Sequence, residues 1–270
     1  RWHSTPEIPT DNWYADLDDD GVPDLAIGRL PADHPLDLRP WGNRILRYEQ
    51  QGHAGAWRQR VNLVAGVGGF GPLLDPIVEL ATKKFLTEGV PPAYRTSMTY
   101  GNWRSPFCPN PYQFHEETIN RFTEGCLFWV YMGHGFPYQL DQVRVPGRKH
   151  HILSVADMAK LENHRGIPIS LFLACYTGAY DQPYDCLAEE MLRAPGGPVA
   201  VLAGSRVTMP YAMAVLGGAL MDEYFNQQTP TLGEIVLHAK EQLADDNPQR
   251  TERRILDLLG RAISPNGKHL

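Results

Sequence analysis

The sequence predicts an α/β fold with a mostly parallel sheet, because two apolar runs are joined by a helical segment. Residues 126–132 and 167–174 are short apolar runs bounded by glycine or proline, which is typical of strands buried on both faces. Residues 154–163, between them, are interpreted as a helix. Since a strand, a helix and a second strand connect as a right-handed crossover, the two strands are expected to be parallel.

The rest of the chain alternates between the same two kinds of element. Further strands are predicted at residues 25–30, 61–66, 94–100 and 199–203, with all except 25–30 and 94–100 central in the sheet. Further helices are predicted at residues 36–51, 75–88, 112–123, 186–193, 211–225, 232–244 and 250–259. Residues 135–151 have no periodic pattern and are interpreted as a long loop, a feature that is often functional in compact domains.

Composition excludes several classes of protein. The chain has 270 residues, 43% hydrophobic and 21% charged, as in a globular protein with room for one large α/β domain and an appendage. A net charge of −6 without a dense Lys/Arg cluster argues against a nucleic-acid partner. No apolar run approaches the roughly 20 residues needed to span a membrane. Four cysteines are too few for a disulfide framework in a chain of this length.

One histidine and one cysteine stand where the two apolar runs end. His134 lies between Gly133 and Gly135, and Cys175 follows the second run. The carboxyl ends of parallel strands form the ligand-binding edge of an open sheet, so both side chains are expected side by side. A thiol beside an imidazole can become a thiolate, the working nucleophile. The alternative for the cysteine is a buried, inert thiol, but glycines on both sides expose the histidine ring and favour a catalytic pair.

An acidic loop near the start of the chain has the composition of a calcium site. Five acids fall within positions 16–24, three of them at alternate positions, and Gly21 permits a tight turn. The predicted ligands are four carboxylates and one main-chain carbonyl: Asp16, Asp18, Asp20, Asp24 and Val22. The helix–loop–helix calcium site needs a Glu where this chain has Ile27, so the spacing is closer to the calcium loops of integrin-type propeller repeats. The alternative is a solvated acidic turn.

Two other features are weaker candidates for ligand binding. Four histidines have no spacing typical of a zinc site and are interpreted as surface residues: His115, His150, His151 and His164. The glycine-rich residues 67–71 lack both Gly-x-Gly-x-x-Gly and the Walker lysine. We interpret them as a turn that allows close backbone approach at the active edge of the sheet.

The sequence around His134 and Cys175 resembles that of the gingipain-type cysteine peptidases of the caspase-like clan. That family carries Gly-His-Gly after one strand and Ala-Cys-x-x-Gly after the next, as do residues 133–135 and 174–178 here. Four further segments are similar to the family: residues 23–31, 154–158, 186–192 and 197–203. The resemblance extends over about residues 11–260. It implies a caspase-like three-layer α/β/α sandwich with a mostly parallel sheet.

The resemblance also implies an activity, that of a cysteine endopeptidase acting on a protein or peptide. Cys175 would attack the scissile carbonyl and form a thioester acyl-enzyme, and His134 would manage the protons. The oxyanion would be bound by the backbone N–H groups of Gly135 and Cys175. No cofactor is required for this chemistry. The compartment that the family implies is secreted or cell-envelope.

Three positions bear on how the site orients its histidine and selects a substrate. Val67 stands where the gingipains have an acid, so His134 is held either by a backbone carbonyl or by another acid. Asp75 matches approximately the position that selects a basic side chain in arginine-specific members. Its alternative role is a helix N-cap before Pro76. Ser205 lies on a loop that shapes the specificity pocket in the family, and is a weaker candidate for substrate binding.

Two other functions remain open at this point. Some members of the family are sortase-like and pass the acyl group to an amine. A non-catalytic interaction domain is a third possibility, motivated by Val67 and by the family's additional N-terminal half. The chain begins at Arg1, so we interpret it as a processed chain or a fragment, with the missing half as a candidate partner. We divide it into a lead-in with the acidic loop, a strand and a linking helix (1–58), a peptidase domain (59–262) and a tail (263–270).

Overall fold

The computed structural model describes residues 8–50, 55–66, 68, 89–101, 107–108, 110–163 and 166–245. The predicted helices 75–88 and 250–259 lie outside this part of the chain, as does most of the glycine-rich turn. The described residues fall into two compact units. The first lies within Arg1–Pro9, Leu30–Gly68 and Pro92–Thr208, and the second within Thr10–Arg29, Gly69–Pro91 and Met209–Leu270. The predicted division into segments 1–58, 59–262 and 263–270 stays a prediction.

The first unit is built on a five-stranded parallel sheet. Its described residues form these strands: β1 (Arg60–Ala65), β2 (Arg95–Tyr100), β3 (Phe128–Met132), β4 (Gly135–Phe136), β5 (Gln139–Leu140), β6 (Gln142–Val145), β7 (Arg148–His151), β8 (Ile169–Leu173) and β9 (Ala200–Ala203). Five of them pair in parallel in the order β2-β1-β3-β8-β9. The parallel sheet is therefore confirmed, except that β9, predicted to be central, is the last strand in this order.

Strands β3 and β8 form the most buried pair of the sheet. All of β8 and the first four residues of β3 are buried. Since successive side chains of a strand point to opposite faces, such a run means that both faces are covered. Trp129 and Phe172 pack edge to face across the pair, with their ring centroids 5.6 Å apart. This covered pair is the centre of the α/β sandwich that the sequence predicts.

Except for the helix predicted at residues 154–163, the predicted helices within the described residues are present. In chain order they are α1 (Leu38–Gln50), α2 (Phe114–Thr123) and α3 (Leu187–Arg193) in the first unit, and α4 (Pro210–Asp222) and α5 (Leu232–Asp245) in the second. Helix α1 is fixed by a buried Arg44, which is only 6% exposed. Its guanidinium donates to the carbonyl oxygens of Leu192, Ala194 and Pro198 at 2.8, 2.5 and 2.9 Å. The carbonyl of Leu192 lies in the last turn of α3, where main-chain carbonyls have no partner within the helix.

Two segments of the first unit differ from the sequence-based expectation. Residues 135–151, expected to be a loop, form two antiparallel hairpins, β4–β5 and β6–β7. The second hairpin turns at Gly147, whose φ of 81° is in the left-handed region that favours glycine. The helix expected at residues 154–163 is a shorter 3-10 helix, Val155–Lys160. Its start is capped by Asp157, which accepts a hydrogen bond from the backbone N–H of Ser154.

The second unit contains α4, α5 and the acidic loop. Helix α4 continues into one turn of π-helix, Glu223–Gln227. Glu223 is buried and accepts hydrogen bonds from three side chains, those of Thr229, His238 and Gln242, at 2.6, 2.9 and 3.0 Å. This carboxylate therefore joins α5 to the end of α4.

The prediction of a strand after the acidic loop is wrong. Residues 25–30 form no strand, although every one of them is described. Leu25 and Leu30 are 52% and 53% exposed, so these apolar side chains do not enter a core within the described residues. The apolar residues of this segment predicted a strand, but a strand also needs a partner for its backbone, and none pairs with this segment among the described residues.

Candidate active site

His134 and Cys175 follow the adjacent strands β3 and β8 at the same level. Met132 and Leu173 are register partners in these strands, and each predicted site residue lies two positions further on. The N–H of Gly133 donates to the carbonyl oxygen of Leu173 at 3.4 Å, so the pairing continues past the strand ends. Both residues therefore emerge at the carboxyl-end edge of the parallel sheet, where open α/β sheets bind their ligands.

The segment after His134 packs directly on the segment around Cys175. A Cβ atom added to Gly135 would lie 2.8 Å from Cγ2 of Thr177 and 2.9 Å from Cβ of Ala174. It would lie closer still to the carbonyl oxygen of Cys175. No side chain fits in this space, so the glycine after the histidine is required for the two chain segments to approach.

The sulfur of Cys175 is surrounded by polar groups of Thr208. Its Sγ atom lies 3.3 Å from the main-chain nitrogen, 3.5 Å from Oγ1 and 3.6 Å from the main-chain oxygen of that threonine. A neutral thiol can donate to the oxygen, whereas a thiolate can accept from the N–H and the hydroxyl. These polar contacts differ from the surroundings of an inert thiol packed among apolar groups.

The segment that follows Cys175 is held by a backbone hydrogen bond of Tyr176 and by an ion pair between Arg206 and Asp181. Tyr176 has a φ of 58°, in the left-handed region that a tyrosine seldom adopts. Its N–H donates to the carbonyl oxygen of Arg206 at 3.2 Å. The guanidinium of Arg206 forms a bidentate pair with Asp181, at 2.8 and 2.5 Å, and these hydrogen bonds lower the pKa of Asp181. The loop after the cysteine is thus tied to the loop that contains Thr208.

Tyr131 and Asp141 belong to the same edge of the sheet, although the sequence did not indicate them. The buried Tyr131 hydroxyl donates to the carbonyl oxygen of His134 at 2.8 Å and accepts from the N–H of Asp141 at 3.3 Å. Oδ2 of Asp141 would lie 3.3 Å from a Cβ atom added to Gly66, just past the end of β1. Given the strand order β1-β3-β8, an acid, the histidine and the cysteine follow one another along the edge.

The sequence pattern that defines peptidase family C25 matches residues 2–260. The chain belongs to peptidase family C25. No curated protein sequence matches it significantly. The gingipain-type family expected from the sequence motifs is therefore confirmed.

Solved structures show the same fold for this C25 chain. It is similar to the Arg-specific cysteine proteinase gingipain R, with a TM-score of 0.67 and 19% identity over 93% of this chain and 57% of that one. It is also similar to a complex of Porphyromonas gingivalis RgpB pro- and mature domains, with a TM-score of 0.64 and 17% identity over 93% and 59%. The caspase-like α/β sandwich is confirmed. The chain spans less than two thirds of the length of these structures.

Two predicted substrate residues of the C25 chain have different outcomes. Asp75 lies outside the described residues, as does Val67. Ser205 lies on the loop that leads to Thr208, but its Oγ donates to the carbonyl oxygen of Pro9 at 2.8 Å. That bond gives Ser205 a structural contact, and its part in substrate binding stays a prediction.

The acidic loop brings three of its predicted calcium ligands together. Carboxylate oxygens of Asp16, Asp18 and Asp24 lie within 4.8 Å of one another. Asp20 instead accepts from the N–H of Val22 at 2.8 Å. The carbonyl of Val22 as a ligand stays a prediction.

Backbone N–H groups are turned towards the same carboxylates. Asp16 accepts from the N–H of Gly21 at 2.9 Å and Asp24 from that of Leu17 at 2.7 Å. Two residues with positive φ, Asp19 and Gly21, make this tight turn. Oxygen-only ligands on a short loop suit a hard cation such as Ca²⁺.

Proposed function

We propose that this C25 chain carries the site of a cysteine endopeptidase, with Cys175 as the nucleophile and His134 as the acid and base. The observation that carries the proposal is the common level of the two residues at the ends of paired parallel strands. Support comes from the polar surroundings of the sulfur and from the close packing of Gly135 on Cys175. The family membership points to the same chemistry.

The proposed reaction has two steps. In the first, the Cys175 thiolate attacks the scissile carbonyl carbon, and the resulting oxyanion accepts hydrogen bonds from the N–H groups of Gly135 and Cys175. His134 then gives its proton to the leaving amine, and a thioester remains on the enzyme. In the second, His134 removes a proton from water, which attacks the thioester and releases the acid and the thiol.

In this proposal Tyr131 and Asp141 are the groups that orient His134 at the carboxyl-end edge of the sheet. Tyr131 holds the carbonyl oxygen of the histidine, and Asp141 supplies a negative charge at the end of the neighbouring strand β1. Both would restrict the histidine in place of the acid that the gingipains have at the position of Val67. In this proposal the tyrosine and Asp141 are positioning residues, since neither touches the substrate.

An irreversible peptidyl electrophile directed at catalytic thiols tests the proposal. We expect labelling at Cys175 that is lost in Cys175→Ala and strongly slowed in His134→Ala. Cys108→Ala is the matched control, because Cys108 is the other partly exposed cysteine, whereas Cys126 and Cys186 are buried. A folded chain that no electrophile of a varied set labels at Cys175 would exclude the enzyme and leave the interaction domain as its function.

The same dyad supports a second reaction, transfer of the acyl group to an amine. Products formed with and without an added nucleophilic amine distinguish the two, since a peptide–amine adduct identifies a sortase-like transpeptidase and the free acid identifies a hydrolase. The natural substrate in either case is a protein or peptide. Partner domains are the other expected contact, as in the complex of the RgpB pro- and mature domains.

We also propose that the acidic loop binds a structural Ca²⁺ ion through Asp16, Asp18 and Asp24, with Asp20 and the carbonyl of Val22 completing the shell after a local rearrangement. Convergence of the first three carboxylates supports this assignment. The ion would offset repulsion among the acids, and in this proposal its role is structural. Of the described helices, none is long and apolar enough to cross a membrane. The family resemblance favours secretion or the cell envelope.

A further inference from the structure

Two histidines that the sequence analysis assigned to the surface meet at one buried carboxylate. His115 comes from α2, His151 from β7 and Asp157 from the 3-10 helix that follows. Nε2 of His115 lies 3.0 Å from Oδ1 of Asp157, and Nε2 of His151 lies 3.0 Å from Oδ2. The Asp157 side chain is 3% exposed, against 17% and 40% for the histidines. Spacing along the chain did not indicate this cluster, because its members lie on three separate elements.

The cluster is held in place by groups around it. Oδ2 of Asp157 accepts from the N–H and the hydroxyl of Ser154, both at 2.9 Å. Nδ1 of His115 lies 3.4 Å from the carbonyl oxygen of Ile152. Only a protonated Nδ1 can donate to that oxygen, which in a neutral ring leaves the lone pair on Nε2. An imidazole anchored in this way, with its other nitrogen free to bind, is the usual arrangement of a metal ligand.

A proton or another cation is needed between Nε2 of His115 and Oδ1 of Asp157 to hold these two atoms together. The lone pair of Nε2 and the carboxylate oxygen Oδ1 are both acceptors, so a hydrogen bond between them requires an added proton or cation. Lys160 supplies it, because its Nζ atom lies 3.0 Å from Oδ1 of Asp157 and 3.2 Å from Nε2 of His115. The lysine side chain is 57% exposed and flexible, so its ammonium can move into solvent when another cation replaces it.

We propose that His115, His151 and Asp157 form a binding site for a transition-metal dication of the zinc type, with Lys160 as a displaceable counter-ion. The ligands of tetrahedral zinc lie about 3.3 Å apart. Each imidazole Nε2 already lies 3.0 Å from an oxygen of Asp157, and all three ligand atoms lie within 4.8 Å of one another. Two imidazoles and one carboxylate suit zinc better than calcium or magnesium, which take oxygen ligands. A water molecule would complete the four-coordinate shell.

Such an ion would stabilise the segment that follows His134. The residues between His151 and Asp157 bond through their backbone to that segment: Ile152 donates to Asp141, and Leu140 donates to Leu153, at 2.9 and 2.8 Å. A metal that joins α2, β7 and the 3-10 helix would therefore also restrict Leu140 and Asp141, through their backbone bonds to Leu153 and Ile152. This inference does not depend on the proposed peptidase activity.

Calorimetric titration of the full chain with Zn²⁺ tests the site. The Cys175→Ala background removes the thiolate as a competing zinc ligand, and excess Ca²⁺ occupies the acidic loop. We expect one zinc ion per chain, with an affinity that falls at least about tenfold in His115→Ala and in His151→Ala. His150→Ala is the matched control, because that neighbouring ring packs on Tyr112, away from the cluster, and should leave the affinity unchanged.

Lys160→Met separates a metal site from a network of ion pairs. If the lysine competes with the metal, the variant binds zinc more tightly than the parent, whereas a mere ion-pair network loses stability and gains no affinity. The visible spectrum of bound Co²⁺ should report tetrahedral nitrogen and oxygen ligands without a thiolate charge-transfer band. No stoichiometric binding in either the parent or Lys160→Met, or equal binding after loss of both histidines, would overturn the proposal.

Discussion

The hydroxyl of Tyr131 donates a hydrogen bond to the main-chain carbonyl oxygen of His134 across 2.8 Å. The same hydroxyl accepts from the N–H of Asp141, beyond the hairpin that follows. Burial, and then the negative charge of Asp141, raises the pKa of this phenol well above its ordinary value, so it remains a donor at neutral pH. A buried neutral donor thus holds the backbone of the proposed catalytic histidine.

Removing that hydroxyl should both slow the chemistry and destabilise the fold. In Tyr131→Phe the carbonyl of His134 and the N–H of Asp141 lose their partner, which costs about 1–3 kcal/mol of stability. We expect the rate of Cys175 labelling to fall about tenfold, since that factor corresponds to about 1.4 kcal/mol of lost positioning. Urea unfolding and labelling kinetics measure the two effects. Tyr184→Phe, at a residue 77% exposed, is the control. A loss of stability with an unchanged labelling rate would make Tyr131 purely structural.

A side chain at Gly135 should disrupt the site. The added methyl group of Gly135→Ala meets the backbone of Cys175 and the side chains of Ala174 and Thr177, so one segment must move away from the other. We expect labelling of Cys175 to be abolished and the unfolding midpoint in urea to fall. Gly42→Ala, in α1, is the control, because a Cβ there has no neighbour within 4 Å and should preserve or increase stability. Normal labelling of Gly135→Ala would contradict the close packing.

Calcium should raise the thermal stability of the chain, and chelation should lower it. We expect the unfolding midpoint to rise by several degrees in excess Ca²⁺, because a ligand that binds only the folded state stabilises it. Asp16→Asn and Asp18→Asn should each remove most of this rise. Asp19→Asn is a matched control: it removes an equal charge from the same loop, and Asn tolerates the positive φ of 61°. Equal losses in all three variants would indicate general charge repulsion instead of coordination.

The pair of Glu223 and His238 predicts a stability that depends on pH. A hydrogen bond with Glu223 raises the pKa of His238 above 6.5, and hydrogen bonding, from Thr229 first, lowers the pKa of Glu223 below 4.5. The contribution of His238 to the free energy of unfolding is complete below the pKa of the unfolded state and is lost as the pH rises through the raised pKa of the folded state. The contribution of Glu223 is present above pH 4.5 and is lost as the pH falls through its lowered pKa.

His238→Gln should therefore destabilise the chain most at about pH 5.5 and little at about pH 9, where the parent histidine is neutral. Urea unfolding of both proteins across this range measures the difference. In a Glu223→Gln background the same substitution should lose its pH dependence, which controls for the general effect of losing this histidine. A difference that stays constant from pH 5 to pH 9 would show that packing of the ring, and not its charge, is what matters.

The sequence by itself determined the parallel sheet and the edge of it at which His134 and Cys175 lie. Strands β1, β3 and β8 are mostly apolar, and such runs indicate burial on both faces of a sheet. The crossover rule then made β3 and β8 parallel and placed His134 and Cys175 at one edge. These inferences succeeded because they depend on local patterns and on a handedness shared by most folds.

Only the tertiary structure decided which distant groups meet. The segment 25–30 has a strand-like pattern but pairs with nothing in the described residues, and the segment 135–151 has no pattern but forms two hairpins. The contacts of Tyr131 with His134 and Asp141, and of His115 with His151 and Asp157, join elements whose separation along the chain carries no periodic signal. Backbone pairing and side-chain clusters depend on which surfaces the packed chain brings within about 3 Å, and composition or spacing does not encode that distance.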